Sequence, residues 1–184
     1  MRKRGAFSLI EILVVVVVVG ILATMALPRL AKKQPEAEWN SILEEVNNLV
    51  YYARQESISN QQTYRLRFQS NPTDQDSVQV EVERQDPNKP RQTIYTPVKS
   101  YYFKPVYKFP EVIMLHAVYH GKKEMLSENK NNAYCYIIPN GLVQEVLVHL
   151  ERTTDEGKSR STLKMAPFFG RFELLEGFVK HAKK

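Results

Sequence analysis

The chain has 184 residues, a formal net charge of +6 and a single cysteine. Hydrophobic residues make up 43% and charged residues 25%, and the mean hydropathy of −0.40 is that of a soluble globular protein. These values exclude a disordered chain, a collagen, a polytopic membrane protein and a disulfide scaffold, since one cysteine cannot form an internal bridge. The apolar residues are concentrated at the N-terminus. Residues 1–27 carry only four charges, at Arg2, Lys3, Arg4 and Glu11.

The first feature along the chain is an apolar segment that follows three basic residues. From Phe7 to Leu27 the 21 residues include one charge, that of Glu11. About 20 helical residues cross the hydrocarbon layer of a membrane, so the segment predicts a transmembrane helix. A plain signal anchor fits this pattern, and so does a signal peptide cleaved after Ala26. Glu11 favours a third interpretation, because a carboxylate inside an apolar helix is costly and is a functional-site candidate.

Residues 5–11, with the sequence GAFSLIE, follow a short basic leader and precede the long apolar run. This stretch resembles the prepilin cleavage and N-methylation motif of type IV pilins and of type II secretion pseudopilins. In that family a small residue, usually Gly, precedes the cut, and a carboxylate is the fifth mature residue. Cleavage between Ala6 and Phe7 makes Glu11 the fifth residue and Pro28 the twenty-second, where family members commonly carry a proline. We therefore expect the cut at this position rather than one residue earlier, although Ala before the cut departs from the family pattern.

The resemblance implies how the N-terminus is processed. A prepilin peptidase would recognise Gly5 and Ala6 and would remove the leader, residues 1–6. The same enzyme would then methylate the new amino group of Phe7.

The resemblance also implies how the mature helix assembles. Glu11 would pair with the N-terminal amine of a neighbouring subunit, so that assembly depends on correct register, because a buried charge is tolerable only when it is paired. Pro28 would kink the helix. The implied partners are other pseudopilins, packed helix against helix through residues 7–27, and the inner-membrane secretion platform.

After the apolar segment the pattern predicts an amphipathic helix and then a β-rich head. Apolar residues recur at intervals of three and four within residues 28–59 and form one helical face: Trp39, Ile42, Leu43, Val46, Leu49, Val50 and Ala53. In the head, residues 60–184, the period changes to two. The fold class is therefore α+β, a long N-terminal helix packed on a mostly antiparallel sheet, as in pilins.

Further segments of the head are predicted as strands or loops. Strands are expected within residues 64–68, 78–82, 94–98, 101–104, 112–119, 133–138, 142–150, 161–165 and 169–175. Loops are expected at residues 71–76, 86–91, 121–132 and 153–160. The sequence Pro139-Asn140-Gly141 between two strands predicts a tight hairpin turn.

Parts of the head resemble the H-type minor pseudopilins. Residues 51–58 followed by residues 64–68 are similar to the helix end and first strand of that group, and residues 139–141 and 170–172 are similar to its closing pattern. Major pseudopilins carry a calcium site in their C-terminal loops, and the C-terminal half of this sequence has no dense cluster of Asp and Asn to supply ligands. The resemblance therefore favours a minor pseudopilin.

The sequence offers little chemistry of other kinds. His116 and His120 lie four residues apart, but the pattern places no third zinc ligand beside them, so we expect no metal and no cofactor. Cys135 lies in an apolar strand and is expected to be a buried small side chain rather than a nucleophile. The sequence has no nucleophile-elbow, phosphate-loop or paired-carboxylate signature, and we do not expect an enzyme.

Two segments have features of a nucleic-acid-binding surface. Residues 94–109 interleave aromatic residues with lysines, which could stack bases and hold phosphates. We favour a strand–loop–strand segment with solvated lysines, because three prolines interrupt it. The basic residues 180–184 keep the alternative open, since DNA-uptake minor pilins with a related head use basic C-terminal residues.

We therefore interpret the chain as a minor pseudopilin of a type II secretion system, a structural subunit near the tip of a periplasmic filament that drives export of folded proteins. It would be a single-pass inner-membrane protein with a cytoplasmic N-terminus and a periplasmic head. The first alternative is a minor type IV pilin that acts in pilus assembly or DNA uptake. The second is an exported soluble β-rich binding domain whose signal peptide is removed.

Overall fold

The computed structural model of the chain describes residues 9–31, 35–154 and 157–179. The chain divides into two compact units, Met1–Glu38 and Trp39–Lys184. The described residues form two helices, α1 (Leu9–Ala31) and α2 (Pro35–Asn60). They also form ten strands, which are β1 (Tyr64–Gln69), β2 (Ser77–Asp86), β3 (Lys89–Pro97), β4 (Val106–Lys108), β5 (Ile113–His120), β6 (Lys123–Glu124), β7 (Asn132–Ile137), β8 (Leu147–Thr154), β9 (Gly157–Ala166) and β10 (Arg171–Glu176).

The helix α1 is apolar over most of its described length. It contains six consecutive valines, residues 14–19, whose side chains are 48% to 64% exposed. The hydroxyl of Thr24 donates a hydrogen bond to the carbonyl oxygen of Ile21 at 2.7 Å, so this polar group is satisfied within the helix. In the described part of the chain, no helix has both the length and the hydropathy that crossing a membrane requires.

Local sequence signals set both ends of α2. Pro35 suits the first helical position, where a missing N–H costs no helical bond, and Glu36 and Glu38 lie in the first turn, where the helix dipole favours carboxylates. After the last turn, Gln61 adopts a φ of 52° in the left-handed region. Its side-chain amide donates to the carbonyl oxygen of Ile58 at 2.7 Å and closes the helix.

The predicted apolar face of α2 is confirmed. Six of its seven residues are at most 5% exposed, and Leu43 is partly buried against the same core. Since α2 has a spacing of 3.6 residues per turn, these positions form one stripe, and burying that stripe is what holds the helix against the head.

Five strands form the first antiparallel sheet, sheet A, with the order β3-β2-β1-β7 and with β4 paired to β2. In β1 the buried residues alternate with half-buried ones, as the period of two predicts. Leu66 at its centre is paired with Val80 on one side and Cys135 on the other. This register gives sheet A one face toward the core.

Five strands form the second antiparallel sheet, sheet B, in the order β10-β9-β8-β5-β6. The register of β5 against β8 shifts between Leu115 and Ala117, which is a β-bulge at His116.

One hydrophobic core joins α2 and both sheets. The rings of Phe68 in β1 and Phe172 in β10 meet edge to face at a centroid distance of 6.2 Å, so the two sheets contact each other directly. Both phenylalanines are fully buried, as is Ile42 of α2. The α+β class is therefore confirmed, but the head contains two sheets where a single sheet was expected.

Two predicted strands of the head are wrong in whole or in part. Residues 101–104 form no strand, because the hydroxyl of Ser100 accepts hydrogen bonds from the amides of Tyr102 and Phe103 and bends the chain. The strand expected from residue 142 to 150 starts only at Leu147, and before it Val143 makes an isolated bridge to Ile137.

The loop predicted for residues 153–160 is also wrong where it is described, since β8 extends to Thr154 and β9 starts at Gly157. These strand ends are polar, so they lack the apolar alternation by which a strand is recognised. They are held by the ladder itself and by Glu151, which binds Lys158 at 2.7 Å and Arg160 at 2.9 Å.

If the buried face of α2 holds the head together, Ile42→Ala lowers the free energy of unfolding by about 2–5 kcal/mol, because it removes buried methyl groups and leaves a cavity. The measurement is chemical denaturation of the full-length chain followed by circular dichroism. The exposed neighbour provides the control, and Ser41→Ala changes stability by less than about 0.5 kcal/mol. Equal midpoints for the two variants would contradict this account of α2.

Candidate functional site

The predicted processing site lies outside the described residues, since Gly5, Ala6 and Phe7 all precede α1. Glu11 lies in the first turn of α1 and is exposed. Pro28 lies within α1, and the kink expected there stays a prediction.

In the head, polar residues of α2 bind the backbone of the last strand. Asn47 donates through Nδ2 to the carbonyl oxygen of Phe172 at 3.1 Å and accepts from the Phe172 amide through Oδ1 at 2.6 Å. The Asn47 side chain thus makes the two hydrogen bonds that a neighbouring strand would make to Phe172. It satisfies both backbone groups of a residue that is 1% exposed.

About two helical turns further on, Arg54 binds two turns of the head at once. Its Nε donates to the carbonyl oxygen of Gly141 at 2.9 Å, and its Nη1 donates to that of Phe169 at 3.2 Å. Both neighbouring glycines have left-handed backbones, with φ of 79° at Gly141 and 60° at Gly170. A Cβ on Gly170 would lie 3.0 Å from Arg54, so a side chain there would press on the arginine.

The tight turn predicted at residues 139–141 is confirmed, but β7 and β8 on its two sides lie in different sheets and form no hairpin. The helix α2 holds this turn too. The amide of Gly141 donates to the carbonyl oxygen of Ile138 at 2.8 Å, and the amide of Ile138 donates to that of Leu142 at 3.1 Å. The buried hydroxyl of Ser57 also donates to the carbonyl oxygen of Ile138, at 2.7 Å.

The structure therefore brings together three stretches that lie far apart in the sequence. They are the end of α2, the turn before β8 and the turn before β10, and they meet at Arg54. Sequence reasoning assigned Arg54 no role. The available signals were a glycine at each of the two turns, Gly141 and Gly170, and the single basic residue of α2, Arg54. Nothing in the sequence indicates that Arg54 contacts residues 87 and 115 positions away.

The two histidines considered as metal ligands have different surroundings. His116 stacks on the ring of Phe178 at a centroid distance of 4.9 Å, whereas His120 is exposed and pairs with Lys123 across the β5–β6 ladder. Within the described ranges, no group of three or more His, Cys, Asp and Glu side chains is placed to hold a metal ion.

A C-terminal strap, residues 177–179, crosses sheet B. Phe178 lies between His116 and His149, and it is parallel to His149 within 4° at 4.5 Å. Thr162 Oγ1 donates to the carbonyl oxygen of Gly177 at 2.6 Å, and Nε2 of His149 lies 2.9 Å from the carbonyl oxygen of Val179. Burial lowers the pKa of His149, and the hydrogen bond to Val179 opposes this effect while His116 adds to it.

The aromatic residues of residues 94–109 do not form one platform. Tyr95 lies on the guanidinium of Arg65 at 3.9 Å, and Phe103 stacks on Tyr52 at 4.5 Å. Phe109 is fully buried, whereas Tyr101 and Tyr102 are fully exposed. The aromatic side chains therefore lie in different surroundings. The basic residues 180–184 lie outside the described part.

Glu81 and Cys135 are buried groups with structural rather than chemical roles. Glu81 is 2% exposed and is paired with Arg65 at 2.6 Å and Arg67 at 3.1 Å. Cys135 is fully buried, as expected, and burial raises the pKa of its thiol to about 12, so the reactive thiolate is suppressed.

Comparisons with known proteins find similarity in the N-terminal motif and in the fold. The family described as "Prokaryotic N-terminal methylation motif" matches residues 1–27. Two structures of the minor pseudopilin EpsH from the type II secretion system of Vibrio cholerae are similar in fold, with TM-scores of 0.52 and 0.51. The identities are 12% and 13%, and each match covers 78% of this chain and 99% or 96% of EpsH. No curated protein matches the sequence significantly.

The chain therefore combines a prepilin-type N-terminal motif with a pilin-like α+β fold. The fold of the chain is similar to that of the minor pseudopilin EpsH.

The Asn47 contact predicts that Asn47→Ala lowers the free energy of unfolding by about 1–3 kcal/mol, because the Phe172 amide and carbonyl lose their partner in a buried place. Hydrogen exchange at the Phe172 amide should accelerate by more than the global loss of stability explains. The matched control is Asn48→Ala, an exposed asparagine on the same helix. Equal exchange at Phe172 in both variants would show that Asn47 does not hold β10.

The lowered pKa of His149 predicts a dependence of stability on pH. The fold favours the neutral ring, so stability is full above the ordinary value of 6.5 and declines as the pH falls through and below it. The melting temperature should fall between pH 7 and pH 5 by less in His149→Gln than in the unmodified chain. His120→Gln is the matched control, and if it flattens the profile as much, His149 is not the responsible group.

Proposed function

We propose that the chain is a minor pseudopilin of a type II secretion system, a structural subunit that assembles into a periplasmic filament. The observation that carries the proposal is the pairing of the methylation motif on residues 1–27 with a head whose fold resembles EpsH. The similar structures are of a pseudopilin, which supports a structural role rather than an enzymatic one.

In this proposal residues 7–27 anchor the chain in the inner membrane and then form part of the filament core. Their composition suits both surroundings, because the valines expose apolar surface and the Thr24 hydroxyl is already bonded within α1. A prepilin peptidase removes residues 1–6 and methylates Phe7. The head then lies in the periplasm, and the secretion platform of the inner membrane receives the processed subunit.

Glu11 supplies the register of assembly. In apolar surroundings a carboxylate without a counter-charge is strongly unfavourable, and the new amine of Phe7 on a neighbouring subunit provides one. Because α1 exposes Glu11 at its first turn, the carboxylate is available for such a pairing. A subunit displaced along its neighbour would leave the Glu11 carboxylate and the Phe7 amine unpaired.

The alternative of a DNA-uptake minor pilin needs a basic, aromatic surface. In the segment where the sequence suggested one, the ammonium of Lys108 binds Asp74 at 2.9 Å and Phe109 is buried, whereas Tyr101 and Tyr102 are fully exposed beside the exposed Lys99 and Lys104. We place secretion ahead of DNA uptake because the similar structures are of a pseudopilin from a secretion system.

The proposal predicts that Glu11→Leu lowers the amount of other pilin-like subunits recovered with the chain after cross-linking in membranes, on the order of tenfold, because the neighbour's amine loses its counter-charge. The matched control is Thr24→Val, which removes a different polar side chain from the same helix and leaves recovery unchanged. Undiminished recovery with Glu11→Leu would contradict the register role.

A further inference from the structure

Strand β3 forms one edge of sheet A, and one side of it pairs with no other strand in the described part of the chain. The amide of Val98 donates to the carbonyl oxygen of Val80 at 3.0 Å, in register with the β2–β3 ladder. Residues of an antiparallel pair alternate between bonding to the partner strand and facing away from it. Counted back from Val98, the backbone N–H and C=O groups of Tyr95 and Thr93 therefore point away from β2, to the free edge.

A cleft of about 590 Å³ lies between β3 and α2, and we call it the β3 cleft. Its apolar lining includes Val82, Ile94 and Val98, and α2 contributes Tyr52 and Glu56. Side chains alternate between the two faces of a sheet along each strand. A segment that paired with the free edge would therefore direct every second side chain toward this cleft.

The walls of the β3 cleft are fixed by contacts within the head. Tyr52 stacks on the ring of Phe103 at a centroid distance of 4.5 Å. Nδ2 of Asn60 donates to the Glu56 carboxylate at 2.8 Å and to the Tyr64 hydroxyl at 3.1 Å. A partner that enters the cleft does not have to order these side chains first.

The edge that contains β3 is basic. Residues 87–110 comprise β3, the loop after it and β4, and they include five basic residues and no acidic one. The five are Lys89, Arg91, Lys99, Lys104 and Lys108. Lys108 binds Asp74 at 2.9 Å, and the other four make no ion pair among the described residues. Lys99 lines the β3 cleft together with Arg84 of β2, so two positive charges face Glu56 there.

The charge of the edge selects the kind of partner. Two copies of β3 side by side would bring two basic edges together, and lysines on an edge strand prevent such pairing. The edge therefore disfavours a second copy of this chain. An extended segment with carboxylates has the opposite charge, and its backbone can pair with the free edge while alternate apolar side chains fill the cleft.

We propose that a different subunit of the filament binds this head by adding an extended acidic segment to the free edge of β3, with alternate side chains in the β3 cleft. Backbone hydrogen bonds to Thr93 and Tyr95 supply affinity, and the cleft with Lys99 supplies selectivity. This inference rests on the proposed function and deepens it, because a minor subunit near a filament tip has neighbours of other sequence.

Photo-cross-linking in cells tests the contact. The full-length chain carries p-benzoylphenylalanine in place of Gln92, an exposed residue of β3, in cells that produce the other subunits of the secretion system. We expect ultraviolet light to link position 92 to a different pilin-like subunit, through a peptide that contains carboxylates and is identified by mass spectrometry. The control carries the same amino acid in place of Lys122, an exposed residue between β5 and β6.

A yield at position 92 no higher than at position 122 would overturn the proposal. A link to a second copy of the chain, to lipid, to nucleic acid or to a protein that is not a filament subunit would overturn it too, because the edge would then serve another partner.

The backbone pairing is tested by a proline. Thr93→Pro removes the N–H group that the added segment needs, and an edge strand tolerates proline at a position that faces away from the ladder. It should lower the cross-linking yield from position 92 by about fivefold, because one hydrogen bond to the partner is lost. Thr93→Ala keeps the amide and is the matched control. Equal yields from the two variants would contradict the backbone pairing.

Charge reversal provides a test that leaves the backbone of β3 intact. Lys99→Glu should lower the yield from position 92 by about fivefold, the upper range for an exposed ion pair. Lys122→Glu makes the same change of charge at an exposed residue outside the cleft and should leave the yield unchanged. An unaltered yield with Lys99→Glu contradicts the proposal, whether or not Thr93→Pro disturbs the strand.

Failure of the β3 contact is distinguishable from failure of the proposed function. The recovery of other pilin-like subunits after cross-linking in membranes, as in the Glu11 experiment, reports the filament role independently of β3. If that recovery is high and position 92 gives no specific link, the β3 contact is wrong and the filament role stands. If neither experiment yields a pilin-like subunit, both are wrong.

Discussion

The burial of one face of α2 is the interaction on which the rest of the head depends. A two-sheet head of this size needs an element that closes both sheets over one core, and the stripe that includes Ile42, Val46 and Val50 does so with almost no exposure. The helix then carries its polar side chains to the rim of that contact. Asn47, Arg54 and Ser57 bind backbone groups of β10 and of the two turns. Apolar burial thus positions α2 on the head, and hydrogen bonds from its polar side chains hold β10 and the neighbouring turns.

The same arrangement connects the fold to the proposed function. A filament subunit must transmit position from an N-terminal helix to a folded head, and its surface must be rigid enough to meet a neighbour in one way. The turns bound by Arg54 meet this need, because they hold apolar side chains outward on short, hydrogen-bonded connections. In the proposed function Glu11 would act at the other end of the chain, where a single charge in an apolar run would make one register more favourable than the others.

Much of the fold could be predicted from the sequence, because α2 and β1 follow their periods of 3.6 and two without interruption. The processing motif was likewise readable, since residues 5–11 are contiguous. The features that could not be predicted are contacts between residues far apart in the sequence. Periodicity identifies strands but not their partners, so the sequence predicts one sheet where the structure has two. The ladder that extends through Thr154 has no apolar pattern. The meeting of Arg54 with Gly141 and Phe169 is a tertiary contact that no local signal announces.

The most direct test of the account is the chemical identity of the mature N-terminus. The full-length chain is produced in a cell that contains its prepilin peptidase, purified from membranes and analysed by mass spectrometry of its N-terminal peptide. The account predicts that Phe7 is the first residue and that its amino group is methylated. A chain that starts at Leu27 would identify a removed signal peptide, and an intact Met1 would identify a plain anchor; either result would contradict the assignment to the pilin-like class of filament subunits.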